Sequence, residues 1–484
     1  MFSLIRESDW NDRTMPFKPV ILWTDALIFL LAFAIIAFFY RVRRYEHLLS
    51  PWRQVARRRL GMCALVILLC YVLVGLLDSV HIREALPRKQ PSEKLFYSTQ
   101  VKSLLDVLIS PLGTEAEKTY SAPFATHLNT KNVVVMPDGR EVRTYPRLIY
   151  GGAHLSRPNK RLPDIVAKSL QAAAPALLTW LFITSAVIIV PAKRNKIPFT
   201  RHLKAILENR TSVAWREILL ALGAILLITF IALRLSTDYH IFGTDKVGKN
   251  VFYEAIKSIR TGLIIGTLTT LVMLPFAMLF GTLAGYFGGW VDDAIQYIYT
   301  TLSSIPAVLL ILAAILSLEV FITNHPDLFS TLEIHADARL LALCLILGTN
   351  SWTSLCRILR AETLKLREME FIQAATALGV NHFKIIRRHI FPNIMHIILI
   401  TVVLDFSMLV LAEAVLSYVG VGVDPTTPSW GNMINSARLE LAREPIVWWP
   451  LLAAFLMMFT LILAANLFSD AVRDAFDPRL RHNV

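Results

Sequence analysis

Residues 243–250 have the spacing of a phosphate-binding loop. The segment reads Gly243-Thr244-Asp245-Lys246-Val247-Gly248-Lys249-Asn250, and such a loop cradles phosphates with its backbone N–H groups. However, Asn250 stands where that loop carries the Ser or Thr that holds magnesium. The preceding segment is an apolar run of membrane-spanning length, not a short strand. We therefore do not predict a nucleotide site here.

Two carboxylates lie inside an apolar run, where each costs at least about 2.5 kcal/mol at the bilayer centre. Asp405 and Glu413 both fall within residues 394–418, and their spacing places them on one face of a helix. Asn350 and Asn466 are polar positions in two other apolar runs. These side chains either line a hydrated pathway or hydrogen-bond neighbouring helices. We take Asn350, Asp405 and Asn466 as the candidate pathway residues.

Neither a catalytic site nor a metal site is predicted. His382 and His389 have no carboxylate cluster beside them, so we interpret them as surface or docking residues. No Ser–His–Asp or Cys–His grouping can be argued from spacing. The four cysteines lie in or at the end of apolar runs, which indicates buried thiols and not a disulfide framework; they are Cys63, Cys70, Cys344 and Cys356.

The amino-acid composition indicates the class of protein to which these residues belong. Of the 484 residues, 55% are hydrophobic and only 18% are charged, whereas an average soluble domain has about 25% charged residues. This excludes a secreted disulfide scaffold, a disordered protein and an ordinary cytosolic enzyme. The formal net charge is +13, but the basic residues cluster beside apolar runs. That pattern is typical of membrane topology and not of nucleic-acid binding.

Nine apolar runs are long enough to cross a bilayer, which needs about 20 residues. They lie at about 20–40, 60–78, 173–191, 217–235, 263–285, 298–318, 339–357, 394–418 and 448–468. The first has no basic start and no small-residue cleavage site, so we predict a retained helix and not a signal peptide.

Basic segments predict the orientation. Residues 41–59, 192–216 and 357–392 are rich in Arg and Lys, and short basic loops stay in the cytoplasm. Nine spans then place the N-terminus outside and the C-terminus in the cytoplasm. Loop 286–297 departs from this rule, because it should be cytoplasmic yet carries Asp292 and Asp293 and no basic residue.

Residues 79–172 would then form a polar extracytoplasmic segment. Within it, two β-prone runs at 133–136 and 141–145 flank Pro137-Asp138-Gly139, an order that predicts a β-hairpin. The composition indicates no chemistry there. A small lid or docking module and a loosely ordered spacer both remain open.

The cytoplasmic segment 358–392 reads as two helices around a tight turn. Gly379 suits a left-handed helix end, and Asn381 suits the N-cap of the next helix. Pro392 is expected to stop that second helix before the next span. With Ala374 and Ala375 as a flat surface, the segment would form a projection that a partner protein grips. The alternative is a solvated charged loop.

In this segment the chain resembles the coupling loop of ABC-importer permeases, whose pattern is E-A-A-x-x-x-G-x(9)-I-x-L-P. Four residues match at the family spacing, namely Ala374, Ala375, Gly379 and Pro392. Three positions differ, with Gln373, His389 and Phe391 in place of Glu, Ile and Leu. The run Arg388–Asn393 has the R-H-x-x-P-N form that oligopeptide-type members often carry.

Three further stretches are similar to the C-type permease of dipeptide and oligopeptide importers. They are 242–248 with Arg260, then 416–431, then 470–480. The resemblance covers about residues 217–484 and implies an all-α polytopic membrane protein with a six-helix permease domain there. Residues 1–216 would be an N-terminal extension with three more membrane helices and the extracytoplasmic segment 79–172.

The resemblance implies a transport subunit of the bacterial inner membrane that imports peptides or peptide-like solutes and does no chemistry itself. Implied partners are a second permease subunit in a heterodimer, two cytoplasmic ATPase subunits and an extracytoplasmic solute-binding protein. ATP and magnesium would bind those ATPases, with no cofactor in this chain. ATPase coupling is implied at Gln373, Ala374, Ala375, Gly379, Arg388, His389 and Pro392. An extracytoplasmic gate or docking site is implied at Thr244, Asp245, Arg260, Ser429 and Trp430.

A proton-coupled secondary transporter that uses Asp405 is the alternative from another class. Such carriers commonly show inverted repeats and broken helices near the bilayer midplane, and neither pattern is convincing here. A secondary carrier also has no need of the docking projection at 358–392. The importer permease is therefore the favoured hypothesis.

Overall fold

The computed structural model describes residues 17–44, 46–86, 96–113, 117–135, 141–155, 160–194, 198–327, 329 and 331–476. Most of these residues are helical, as the all-α hypothesis requires. The helices are α1 (Trp23–Val42), α2 (Glu46–Val55), α3 (Arg59–Asp78), α4 (Leu104–Leu108), α5 (Ser110–Gly113), α6 (Arg161–Arg194), α7 (Phe199–Leu207), α8 (Trp215–Ser236), α9 (Val251–Phe287), α10 (Gly289–Ser304), α11 (Ala307–Asn324), α12 (Leu332–Arg367), α13 (Glu370–Ala377), α14 (His382–Ile385), α15 (Phe391–Val419), α16 (Trp430–Glu440) and α17 (Trp449–Phe476). The strands are β1 (Phe17–Val20), β2 (His81–Glu84), β3 (Lys102–Ser103), β4 (Asn132–Val135) and β5 (Glu141–Thr144).

Eight helical segments of the described chain are long and apolar enough to cross a membrane. They are Trp23–Arg41, Arg59–Asp78, Arg161–Val190, Trp215–Ser236, Val251–Phe287, Ala307–Asn324, His382–Val419 and Trp449–Phe476. Each overlaps one of the nine predicted runs, so the chain is an all-α polytopic membrane protein. The remaining run, 339–357, lies within α12, which is long enough but carries charged residues in its terminal turns. Its membrane crossing stays a prediction.

The predicted bounds need correction in two places. The run 298–318 spans a break, because α10 ends at Ser304 and α11 begins at Ala307 after Pro306. The supposed loop 286–297 is therefore largely helical, and the membrane segment is α11. Residues 161–172, predicted as extracytoplasmic polar chain, form the first three turns of α6.

Helices α9 and α12 run side by side in the same direction at the centre of the bundle. A Cβ atom added to Gly281 would lie 2.8 Å from the carbonyl oxygen of Cys356, and one added to Gly285 would lie 2.6 Å from that of Arg360. Only glycine permits this approach of two backbones. Gly281 and Gly285 therefore form the packing face of α9 against α12.

Helix α3 belongs to the same central bundle although it precedes residue 217. It packs against α9 and α17, and the Tyr71 hydroxyl donates to the carbonyl oxygen of Met457 at 2.9 Å. A Cβ atom on Gly61 would overlap that of Ala471. In contrast, α6 packs mainly against α8. The domain boundary at residue 216 stays a prediction, but one of the three preceding membrane helices lies inside the central bundle.

The chain before α6 folds onto one end of the bundle. Strands β1, β2 and β3 form an antiparallel sheet, and β4 pairs with β5 as the hairpin prediction requires. The turn at 137–139 lies outside the described residues. The backbone N–H of Ser121 donates to Thr244 Oγ1 at 2.7 Å, which ties the segment to the loop before α9. The described part of 79–172 is therefore not a loosely ordered spacer.

Two ends of the bundle can now be named. The sheet end contains β1–β3 and the first turns of α1, α9 and α12. The loop end contains the last turns of α9 and α12 and residues 368–390, which connect α12 to α15. Because α9 and α12 run in the same direction, each extends from the sheet end to the loop end.

Candidate functional site

The loop end contains the predicted helix–turn–helix projection. Helix α13 ends at Ala377, and Gly379 follows in a left-handed conformation with φ of +73°. Such a backbone suits glycine because it has no Cβ atom. Asn381 then caps α14, since its side-chain oxygen accepts from the backbone N–H of Phe383 at 2.9 Å. The expected helix end at Gly379 and N-cap at Asn381 are confirmed.

The prediction that Pro392 stops the second helix is wrong. A π-helical turn covers Ile386–Ile390, and α15 continues directly from Phe391 with Pro392 in its first turn. Pro392 has no backbone N–H to donate, and it directly follows the π-helical turn, in which the i→i−4 hydrogen-bond pattern is already replaced. Residues 382–419 therefore form one continuous helical path that joins the projection to α15.

The outer surface of the projection is apolar at two points and basic around them. Leu378 is 84% exposed and Phe383 is 70% exposed. Lys384, Arg387 and Arg388 are also exposed and, with Phe383 and Pro392, line a shallow concavity. Exposed apolar side chains with a rim of one charge are typical of a protein-docking surface.

The coupling residues inferred from the family pattern lie around this surface. Gln373 and Ala374 are exposed, Ala375 is half-buried, and Gly379 forms the turn. His389 is half-buried with its ring 6.2 Å from that of Phe371. The pattern thus brings these residues onto one projection, while their role in coupling stays a prediction.

Buried contacts hold the projection rigidly to the bundle. Ile372, Ile385 and Ile390 are at most 1% exposed and share one apolar cluster with Leu355 and Leu359 of α12. Burial of each such side chain contributes about 1.5–3 kcal/mol. The Tyr286 hydroxyl of α9 lies 2.8 Å from His382 Nδ1. The projection is therefore packed firmly against the loop-end halves of α9 and α12.

An ion pair between α10 and α12 also lies at the loop end. Arg360 donates to both carboxylate oxygens of Asp292, at 2.5 and 2.6 Å. These hydrogen bonds hold the pKa of Asp292 below its ordinary value, although partial burial acts in the opposite direction. Asp292 is one of the two acids that made loop 286–297 an exception to the charge rule, and its partner explains its presence. Sequence reasoning missed the pair, and the presence of acids in a segment expected to be basic was the available signal.

The candidate pathway residues are not joined to one another within the described chain. Asn350, Asp405 and Asn466 are half-buried, and no hydrogen bond links any two of them among the described residues. Glu413 is 1% exposed and accepts a hydrogen bond from Ser417 Oγ at 2.7 Å. Glu413 thus has an internal packing partner, whereas the pathway role of the other three stays a prediction.

Most residues predicted for an extracytoplasmic gate or docking site are buried inside the chain. Thr244 is fully buried and donates to the carbonyl oxygen of Thr119 at 2.8 Å. Ser429 caps α16, and Trp430 donates its indole N–H to the carbonyl oxygen of Ala255 at 3.0 Å. Thr244, Ser429 and Trp430 thus make contacts within the chain, and their gate or docking role stays a prediction.

The loop that resembles a phosphate cradle is occupied by the chain itself. Asp245 Oδ1 accepts from the backbone N–H of Lys249 at 2.8 Å, and burial raises the pKa of this carboxyl. A Cβ atom on Gly248 would overlap the carbonyl of Glu117. These contacts show that Gly248 permits close packing of two loops.

The site therefore consists of a rigid docking projection on a helical bundle that spans a membrane. Its exposed surface is apolar at Leu378 and Phe383 and basic at Lys384, Arg387 and Arg388.

Comparison with known proteins identifies the family. Residues 277–482 match the family described as "Binding-protein-dependent transport system inner membrane component". The glutathione transport system permease protein GsiD of Pectobacterium atrosepticum is 31% identical over 243 residues, which cover 50% of this chain and 73% of that protein. The dipeptide transport system permease protein DppC of Alkalihalophilus pseudofirmus is 30% identical, over 50% of this chain and 73% of that protein. The oligopeptide transport system permease protein OppC of Mycobacterium bovis is 30% identical, over 50% of this chain and 77% of that protein.

The chain belongs to the family of binding-protein-dependent transport system inner membrane components. It is a multi-pass permease subunit of an ABC importer in the inner membrane and not an enzyme. The favoured hypothesis from the sequence is confirmed, and the proton-coupled alternative that uses Asp405 is not supported.

Proposed function

We propose that this permease subunit imports peptides or peptide-like solutes and that the projection at 373–392 receives the force of ATP-driven closure. The main support for the coupling role is the exposed helix–glycine–helix surface, which buried side chains hold to α9 and α12. The names of the related permeases, which refer to dipeptides, oligopeptides and glutathione, support the solute class.

A two-state transporter changes population only if a partner binds its two states with different affinity. The coupling surface consists of Gln373, Ala374, Ala375, Gly379, Arg388, His389 and Pro392. Its basic rim favours an acidic groove on the partner. Movement of that groove carries the projection, and with it the loop-end halves of α9 and α12, toward the alternative state.

The assembly contains this chain with a second permease subunit, two cytoplasmic ATPase subunits and an extracytoplasmic solute-binding protein. ATP and magnesium bind to the ATPase subunits. Residues 217–484 act as the permease domain, and residues 1–216 act as an extension whose α3 supports the bundle.

The projection faces the cytoplasm, with the N-terminus outside. Gln100 and Lys204 are both exposed and test this orientation as single cysteines in a background without native cysteine. A membrane-impermeant maleimide applied to intact cells should label Gln100→Cys and not Lys204→Cys. Both should react after permeabilisation, which is the control. Labelling of position 204 alone in intact cells would reverse the topology.

The substitution Gly379→Glu tests the coupling role. Its left-handed backbone disfavours any residue with a Cβ atom, so the turn should change direction and mis-aim α13 and α14. ATP-dependent peptide uptake by the reconstituted complex should fall by about tenfold or more, equivalent to 1.4 kcal/mol. Membrane insertion should remain normal because no atom lies within 4 Å of the added Cβ position.

Gly379→Asn is the matched control, since asparagine tolerates the left-handed conformation better than other residues. It should retain most of the uptake. Native uptake by Gly379→Glu, with ATP hydrolysis still stimulated by the binding protein, would remove the coupling assignment. Uptake that continues when a protonophore is added at constant ATP separates this function from a proton-coupled one.

A further inference from the structure

Arg260, on the first turns of α9, is 11% exposed in its side chain and has its polar partners in the chain before residue 217. Its guanidinium donates to Asp25 Oδ1 at 2.6 Å and to Thr24 Oγ1 at 3.1 Å. Asp25 is 1% exposed and also lies 2.7 Å from His81 Nδ1. The permease domain thus presents a cation whose counter-charge comes from the start of α1.

The same short segment binds α12. Asp337 Oδ2 accepts from the backbone N–H of Trp23 at 2.9 Å, and Asp337 Oδ1 accepts a hydrogen bond from the Thr24 hydroxyl. Residues 23–25 therefore contact α9 and α12 at once, at the sheet end. We call this segment the latch.

A second pair strengthens the attachment. Lys257, one turn before Arg260, donates to both carboxylate oxygens of Asp106 at 2.8 Å and lies 3.3 Å from Asp78. Burial acts to raise the pKa of Asp106, but Lys257 and the neighbouring hydrogen bonds have the larger, opposite effect. The pKa therefore lies below its ordinary value, and the carboxyl remains ionised. The sheet end of α9 is thus held by two ion-paired groups from the extension.

A cavity lies beside the latch. A cavity of about 260 Å³ lies between the extension and the permease domain. Its walls include Leu22 and His81 on one side, and Thr261, Leu340 and Pro428 on the other. The cavity wall also contains Arg260 and Asp337, the two permease-domain partners of the latch, so open volume adjoins the contacts that break when the latch is released.

We propose that the latch is a releasable clamp on the sheet end of the α9–α12 pair, closed in this state and opened in each transport cycle. The mechanical reason is the length of α12, which has 36 residues and is about 54 Å long at 1.5 Å per residue. One end bears Asp337 and the other leads directly into the docking projection. A helix pair packed on glycines moves as a unit, so tilting at the loop end displaces the sheet end.

The chemistry of the contact agrees with a clamp. Buried ion pairs add little net stability compared with apolar packing, but they discriminate strongly between geometries because a lost partner leaves an unpaired charge. A contact of this kind stabilises one state relative to another, which is the requirement for a conformational device. The inference rests on the proposed transport function only through the motion of α9 and α12.

Cross-linking tests the clamp. In the assembled complex without native cysteines, Thr24→Cys with Asp337→Cys is joined by a short bis-methanethiosulfonate reagent. ATP-dependent uptake should fall about tenfold or more and recover on reduction. The control joins Val133→Cys to Arg143→Cys, a cross-strand pair within one hairpin, and should leave uptake unchanged. Native uptake with the latch cross-linked would overturn the proposal.

A second readout needs no solute and so separates the clamp from the peptide proposal. The yield of the latch cross-link is compared in nucleotide-free and vanadate-trapped complexes. It should differ about fivefold or more between the two states, whereas the hairpin cross-link should form equally in both. Equal latch yields would show a static contact. If the native complex imports no peptide but the yields still differ, the solute class fails and the clamp stands.

The variant Asp25→Asn tests the clamp independently, in case the double-cysteine variant does not fold. It keeps the shape of the side chain and removes the charge that faces Arg260. Solute-independent ATP hydrolysis should rise severalfold because the clamped state is less favoured. Native hydrolysis together with native vanadate-dependent cross-linking would contradict a role in the cycle.

Discussion

Helix α9 of the α9–α12 pair has a hydropathy similar to that of α6 and α8, but its surroundings are very different. The candidate span in α9 has a mean hydropathy of 2.2 and is 50% buried by protein, whereas those in α6 and α8 have values of 2.1 and 2.6 and are 11% buried. The α9–α12 pair meets through backbone contacts at glycine. The α6–α8 pair meets through Trp180, whose indole N–H donates to the carbonyl oxygen of Leu219 at 2.7 Å.

The difference shows which helices connect the two ends of the molecule. Helix α12 carries the latch contact at one end and leads to the docking projection at the other, and α9 is locked against it. The α6–α8 pair contacts the central bundle mainly through the packing of α8 on α3. Membrane insertion requires only apolar length, but transmission of force requires contacts that cannot slip.

Substitution of the packing glycines should have the largest effect. Gly285→Leu puts a side chain against the carbonyl oxygen of Arg360, which cannot move without bending α12, and should lower the free energy of unfolding by about 3 kcal/mol. In Gly223→Leu the new atoms meet the ring of Trp180, which can rotate toward the membrane. The loss there should be about 1 kcal/mol. Denaturant unfolding in detergent measures both, and equal losses would contradict the comparison.

The ion pair at the loop end should have an intermediate effect. Asp292→Asn removes the charge that Arg360 binds and should cost about 2 kcal/mol of unfolding free energy at pH 7. Because the folded-state pKa of Asp292 is lowered from its ordinary 3.8, its contribution is present above about pH 4 and is lost as the pH falls through the folded-state value. The gap between native protein and variant should therefore narrow as the pH falls below 3.8 and close once the folded-state carboxyl is protonated. A gap that stays constant as the pH falls would exclude a charge effect.

Loss of the hydrogen bond in the peripheral pair should have the smallest effect. Trp180→Phe leaves the carbonyl oxygen of Leu219 without this donor and should cost about 1 kcal/mol. ATP-dependent uptake should stay near the native level, because α6 and α8 do not connect the docking projection to the latch. A severe loss of uptake with normal folding would show that the α6–α8 pair takes part in the cycle.

Local features of the docking projection could be predicted because each depends on one residue type in one conformation. Gly379 was expected from its place after an alanine-rich helix, and Asn381 from its place before the next one. Both expectations concern backbone preferences that act over three or four residues. The prediction at Pro392 failed for a related reason. A π-helical turn upstream changed the register, and a local rule for proline does not include that turn.

Pairing between distant residues could not be predicted. Asp25 and Arg260 are 235 residues apart in the chain, and many other acids could have paired with Arg260. The same holds for Asp292 and Arg360. The rule that short cytoplasmic loops are basic marked segment 286–297 as an exception, but it did not indicate a partner for Asp292. The tertiary fold decides such pairs, because charge attracts without regard to sequence distance and only packing sets which groups come within 4 Å.

By itself, the sequence determined that this protein is a polytopic helical membrane protein with a helix–glycine–helix docking projection. Apolar length, basic loops and capping residues are local quantities, and each acts on its own segment. Only the tertiary structure decided that α3 joins the central bundle, that α9 and α12 pack as one unit, and that the start of α1 clamps their sheet end. The physical reason is that the bilayer accepts apolar helices of equal hydropathy equally well and does not determine which of them pack together. Their neighbours are selected by side-chain shape, glycine contacts and buried charge.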